Sequence, residues 1–184
     1  MTDKQKALDK IAKEIVACKI CKQKSLGLPV IGEGNSNAKI VFVGEAPGKK
    51  EAESGRPFVG RSGKFLRENI RRVGLDDTKD VYITSPVKYL PKRGTPDKVQ
   101  IAHGMIHLQK QLDIIKPKLI VLLGSTAALG VLGEFVPVAQ KHGQIIKKMG
   151  LTYFISFHPA AAIRFAKFRP IFAKDFKKLK NLIY

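Results

Sequence analysis

Four short apolar runs constrain this chain most: "AKIVFVG" (38–44), "DVYITS" (80–85), "KLIVLLG" (118–124) and "GLTYFISF" (150–157). A strand that is apolar along its whole length is covered on both faces, the habit of parallel sheets whose crossovers are helices. Helical patterns fill the gaps. Residues 3–17 read as an amphipathic helix, and 62–74 as a helix stopped by Gly74. A longer helix spans 95–115, with Thr95 as N-cap and Pro96 at the first helical position. Another runs from Ser125 to about Leu132, and a basic helix closes the chain. The expected fold is α/β, a three-layer α/β/α sandwich around a central four-stranded, mainly parallel sheet. No repeat, low-complexity tract or long linker breaks the sequence, so residues 1–184 read as a single domain. A chain of this length buries about two-thirds of its unfolded surface.

"GEAPG", "TSPVKYLPKRGTP", "GST" and "HPAAAIR" each follow one of these runs. In an open parallel sheet such strand ends share one edge, where ligands bind. Glu45, Glu51, Ser85 and His158 are therefore expected near one another. The segment "GEAPGKKEAESGRPFVGRSGKF" (44–65) holds five glycines, two prolines and three glutamates. Such a loop brings backbone close to a ligand, and its acids can act on what is bound. A lone histidine is usually structural. His158 lies at a strand end on the same edge as two glutamates, which favours a donor to developing negative charge or an acid–base role.

Charge narrows the partner. Thirty-four Lys and Arg face 15 Asp and Glu, a net +19, which suits a polyanion, most commonly nucleic acid. The competing explanation is a lysine-rich surface adapted to heat. Residues 164–184 carry seven basic residues, one acid and four phenylalanines. Phe172, Phe176, Leu179 and Ile183 recur at helical spacing there, so they read as a core face, with the lysines toward solvent or phosphate. No run is long enough to span a bilayer, and "MTDKQKALDK" lacks the apolar core of a signal peptide. Two cysteines build no disulfide framework, in keeping with a reducing, cytoplasmic setting.

Two motifs carry less. "GRPFVGRS" (55–62) approaches the phosphate-binding P-loop but has Arg61 in place of lysine and follows no strand. Cys18 and Cys21 form a CxxC that follows a helix, unlike a thioredoxin-type site. A metal site needs about four protein ligands. His103 and His107, spaced i, i+4, are the nearby candidates to complete one, and two unligated cysteines are the simpler expectation.

"GEAPGKKE", "GRPFVGRSGKFL", "VYIT", "PKLIVLLGSTA" and "HPAAAIR", in this order and spacing, resemble the family-4 uracil-DNA glycosylases, the iron–sulfur members of that superfamily. The resemblance runs from about Cys18 to the C-terminus and implies a uracil-DNA glycosylase-like fold. It also implies an enzyme of base-excision repair that flips uracil, or a related deaminated base, out of DNA and hydrolyses its N-glycosidic bond. Flipping is needed because the target atom is inaccessible inside the duplex. By resemblance Gly44, Glu45 and Ala46 lie against the base, Phe58 stacks on it, and Glu51 positions or activates water. His158 contacts the uracil carbonyl and stabilises the leaving anion. Ala160, Ala161, Ala162, Ile163 and Arg164 correspond to a loop that enters the duplex. Such enzymes usually act as monomers.

Two departures stand out. The family holds a four-iron four-sulfur cluster on four cysteines, of which Cys18 and Cys21 match the first pair. Tyr89 stands at the third position and the fourth falls near Gly104, so no cluster is expected and the pair is a remnant. The family's "YITN" is here "YITS" followed by Pro86, placing Ser85 where an asparagine amide reads the base edge. Serine offers one hydroxyl in place of an amide that both donates and accepts. A catalytically weak or inactive DNA-binding relative is the alternative outcome.

Overall fold

The four apolar runs do form parallel strands, because their side chains bury on both faces of one sheet. The structure, a computed structural model, describes residues 2–182. In chain order its elements begin with α1 (Asp3–Ala17), α2 (Lys19–Lys22), β1 (Ser25–Leu26), β2 (Glu33–Gly34) and β3 (Ile40–Val43). Next come α3 (Lys49–Ser54), α4 (Arg61–Arg72), β4 (Val81–Thr84), β5 (Leu90–Pro91), α5 (Lys98–Ile115) and β6 (Leu119–Leu123). The remainder is α6 (Ser125–Leu132), α7 (Val138–Lys141), β7 (Ile145–Lys148), β8 (Leu151–Ser156), α8 (Pro159–Arg164) and α9 (Phe168–Lys180).

The main sheet has six strands in the order β2-β4-β3-β6-β8-β7. Its four central strands are mutually parallel, as expected, and the four-stranded expectation is corrected by two antiparallel edge strands, β2 and β7. Neither edge has an apolar run. β2 is Glu33–Gly34, and β7 alternates exposed and half-buried residues, with Lys147 and Lys148 on an edge that charge protects from further pairing. β1 and β5 form a separate two-stranded ribbon.

Every residue of β3, β4 and β6 is buried, so helices must cover both faces. One group brings α1 and α6 against α5; the other packs α4, α8 and α9 together. On α9, Phe172, Phe176 and Leu179 are fully buried, and the Phe176 ring stacks on Phe42 of β3 at 5.8 Å. Burying each such side chain contributes about 1.5–3 kcal/mol. Ile183, expected on the same face, lies outside the described residues. α5 starts later than expected. Asp97, not Thr95, is its N-cap, in a capping box with Gln100. A carboxylate at N-cap satisfies the N3 amide, while the Gln100 side chain returns to the Asp97 amide.

Sequence order reverses at β3, which has β4 on one side and β6 on the other. Beyond the carboxyl ends of the strands at such a reversal, the flanking loops diverge and leave a crevice.

Candidate active site

The crevice opens at Gly44, directly after β3. Its N–H donates to the Thr84 carbonyl at 2.9 Å, keeping the ends of β3 and β4 together as their loops part. A Cβ at position 44 would lie 2.7 Å from Phe58 Cζ, so the absence of a side chain here lets the Phe58 ring lie against the backbone. Phe58 has φ +52°, a left-handed conformation that costs a non-glycine residue about 1–3 kcal/mol.

Two charged side chains hold it there. Glu51 Oε1 accepts the Val59 N–H at 2.8 Å and the Gly60 N–H at 2.7 Å. Arg67 donates from Nε to the Phe58 carbonyl at 3.2 Å and from Nη2 to the Pro57 carbonyl at 3.0 Å. Hydrogen bonds to charged groups contribute about 1.5–3 kcal/mol each, enough together to exceed the backbone strain. Arg67 is fixed in turn by Asp77 at 3.0 Å and Glu33 at 3.1 Å, and Glu33 is gripped by Arg56 at 2.6 Å. The bond from Arg56 draws the Glu33 carboxyl below its usual range against the opposing effect of burial. At Asp77 burial opposes ionisation most strongly, yet the bonds from Arg67 and Arg71 leave its pKa lowered.

The Glu51 carboxylate sits between two glycines. A Cβ at Gly48 would come 2.7 Å from Oε2, and one at Gly60 would come 3.2 Å from Oε1. An acid occurs in this glycine-rich loop because the loop folds around it. Sequence reasoning gave Glu51 a chemical role and missed this anchoring one, and it missed Arg67 and Glu33 altogether.

His158 and Ser85 form the opposite wall. His158 is the N-cap of α8, and its Nδ1 accepts the Ala160 N–H at 3.2 Å. With Nδ1 an acceptor, the neutral ring carries its proton on Nε2. Burial holds the imidazole below its ordinary value of 6.5, while the Glu45 charge pulls the other way. Gly124, at φ +93°, passes beneath; a Cβ there would lie 3.0 Å from His158 Cβ. The Phe58 and His158 rings stand 6.0 Å apart. Ser85 is buried, and its hydroxyl donates to the Val87 carbonyl at 2.8 Å. Glu45, Ala46, Glu51, Phe58, Ser85 and His158 line one cavity of about 170 Å³. The expected convergence of four strand ends is thus present, and Gly44 contributes the floor beneath Phe58.

Residues 160–164, expected as a loop, are helical within α8. Ala162 is fully buried and so is withdrawn from any DNA-facing surface. Ala160 and Arg164 are exposed, with Ala161 and Ile163 partly so. Ala160, Ile163 and Arg164 border an open groove of about 610 Å³ whose other side carries Lys49, Lys50 and Arg61. Glu51 lines both this groove and the cavity.

Away from the cavity, Cys18, Cys21, His103 and His107 place one ligand atom each within 4.8 Å of all the others. The paired cysteines therefore do not stand alone. Gly104, near which the fourth cluster position was expected, packs against the Pro86 carbonyl with no room for a Cβ; its neighbour His103 reaches Cys18. Tyr89 is buried with Ile11 and Ile15, and Cys21 packs against this group. A four-iron cluster takes four thiolates, and here two are present with Tyr89 occupying the third position. These residues do not fit that cluster.

Similarity to known proteins agrees with the fold and the cavity. A family model described as the uracil DNA glycosylase superfamily matches residues 31–180. A type-4 uracil-DNA glycosylase of Archaeoglobus fulgidus is 37% identical over 190 residues, covering 96% of this chain and 93% of the relative. One from Sulfurisphaera tokodaii is 36% identical, covering 96% and 84%, and one from Thermotoga maritima is 40% identical, covering 84% and 82%. The chain belongs to the uracil DNA glycosylase superfamily, and within it to the type-4 family.

Proposed function

We propose that this protein removes uracil, or a related deaminated base, from DNA by hydrolysing the N-glycosidic bond of a flipped-out nucleotide. The observation that carries the reading is the His158 tautomer. Cleavage gives an oxocarbenium-like sugar and an anionic base, and a fixed Nε2–H at the cavity wall donates to the developing anion. One such preorganised donor is worth about 3 kcal/mol of barrier. A neutral imidazole suits the task because Nδ1 is already engaged by Ala160.

Phe58 stacks on the base, held at its strained φ by Glu51 and Arg67. Gly44, Glu45 and Ala46 lie along the base edge. Glu51 spends Oε1 on the loop and keeps Oε2 for water or the sugar cation. Lys49, Lys50, Arg61 and Arg164 guide the strand by its phosphates, and Ala160, Ala161 and Ile163 support the gap left by the flipped base. The chain acts as a single-domain monomer in the cytoplasm, a reducing setting that suits two cysteines outside any disulfide. No helix among the described residues is long and apolar enough to cross a membrane.

One observation favours a second reading, a weak or inactive DNA-binding relative: the Ser85 hydroxyl donates to Val87, leaving only lone pairs for a base. Single-turnover assays on uracil-, hypoxanthine- and xanthine-containing oligonucleotides, single- and double-stranded, separate the two. Release of a free base at an abasic site is expected. DNA binding with no excision of any of these bases favours the second reading.

A further inference from the structure

The Cys18–Cys21–His103–His107 corner combines three independent features. Its spacing is C-x2-C followed by H-x3-H, which matches two-cysteine, two-histidine zinc sites. The two halves come from different parts of the fold. Cys18 caps the short helix α2, where its sulfur accepts the Cys21 N–H at 3.4 Å, and His103 and His107 lie one turn apart on α5. His107 is buried, yet neither Nδ1 nor Nε2 has a partner among the described residues. A buried polar atom without a partner costs about 1–3 kcal/mol, and a bound metal ion would satisfy one of these two ring nitrogens.

Distances separate one ion from a cluster. Tetrahedral zinc with bonds of about 2.3 Å to sulfur and about 2.0–2.1 Å to nitrogen sets its donors about 3.3–3.8 Å apart. The four donor atoms here already lie within 4.8 Å of one another, with Cys18 Sγ 3.1 Å from His103 Nε2. Small side-chain rotations close that set around a single ion, whereas a cubane of four irons holds its thiolates wider apart. Two thiolates and two imidazoles favour zinc over hard cations such as magnesium or calcium.

We propose that Cys18, Cys21, His103 and His107 bind a single tetrahedral zinc ion in place of the iron–sulfur cluster that the family resemblance implies. Four protein ligands leave no open position, so the ion is structural. It fastens α1 and α2 to α5, the helix whose Gly104 packs against Pro86 beside Ser85.

The full chain is purified anaerobically from cells supplied with both iron and zinc, then assayed for metals and acid-labile sulfide. About one zinc per chain without sulfide is expected. Iron with labile sulfide, or a metal-free protein, overturns the proposal. Cobalt exchanged into the site should give strong tetrahedral d–d absorption with thiolate-to-cobalt charge transfer; a weak octahedral spectrum also overturns it. Cys21→Ser and His103→Ala should lose the stoichiometric zinc, and retention by either variant counts against the assignment. The stoichiometry and cobalt spectrum of the unaltered chain stand even where a variant folds poorly.

Discussion

Around Phe58 the chain supplies its own polar partners, whereas at His107 it leaves two buried ring nitrogens without any among the described residues. Both regions lie beside the same sheet, and both draw residues from distant parts of the sequence. The loop region is finished: Arg67, Asp77 and Glu33 interlock, Glu51 holds the amides of Val59 and Gly60, and the strained Phe58 is fixed before any ligand arrives. Preorganisation of this kind lowers barriers because little reorganisation is left for the reacting state. The cysteine–histidine corner is unfinished, and its geometry makes sense with something bound. A self-satisfied polar network marks a site that acts on a ligand; an unsatisfied one marks a site that is completed by it.

The comparison breaks most readily at Arg67. Removing it leaves Asp77 and Glu33 short of their buried partner and frees the Pro57 and Phe58 carbonyls. Arg67→Ala should cost about 3 kcal/mol, read as a fall in thermal midpoint, because Arg71 and Arg56 keep Asp77 and Glu33 paired and the loss falls mainly on the bonds to the two carbonyls. A stability change within about 0.5 kcal/mol, the range of ordinary surface substitutions, would show that the network does not hold the loop.

His158→Ala should lower the single-turnover excision rate by about 10²–10³. Binding to undamaged duplex should stay nearly constant, since it rests on phosphates. Equal loss in both assays would make His158 a cap for α8 and nothing more.

The two regions also differ in how far the sequence disclosed them. The parallel strands were legible because burial on both faces leaves continuous apolar runs, and their shared edge located Glu45, Ser85 and His158. β2 and β7 left no such trace; two residues at one edge and an "IIKK" at the other carry no strand signal. The true cap of α5 was present as Asp97 with Gln100 three positions on, but Thr95–Pro96 offered a competing start. Arg67 was hidden because its value comes from carbonyls and acids that meet it only after folding. The pairing of His103 with Cys18 depends on α5 lying across α2, which no local pattern encodes.

Ser85→Asn sharpens the account of the cavity. If an amide is what limits uracil recognition, the variant should favour uracil over other deaminated bases by about 1–3 kcal/mol, the value of a well-placed polar contact to a base. Slower uracil excision by the variant would mean that serine, held by Val87, is a working reader of the base.

The smallest expected effect concerns pH. Burial places the His158 pKa below 6.5, so the neutral ring persists somewhat below that value. Protonating Nδ1 would remove its acceptor for the Ala160 N–H and spoil the helix cap along with the tautomer. Excision should therefore be level near neutrality and fall as pH drops through the folded pKa. Stability follows the same direction: the unfolded chain takes up the proton first, so the contribution present above 6.5 is lost as pH falls through the lowered value. Glu45 supplies the opposing charge, and Glu45→Gln should move the acid limb of the single-turnover profile to still lower pH. A limb that moves upward, or does not move, would mean that the group titrating in that limb is not His158 under the influence of Glu45.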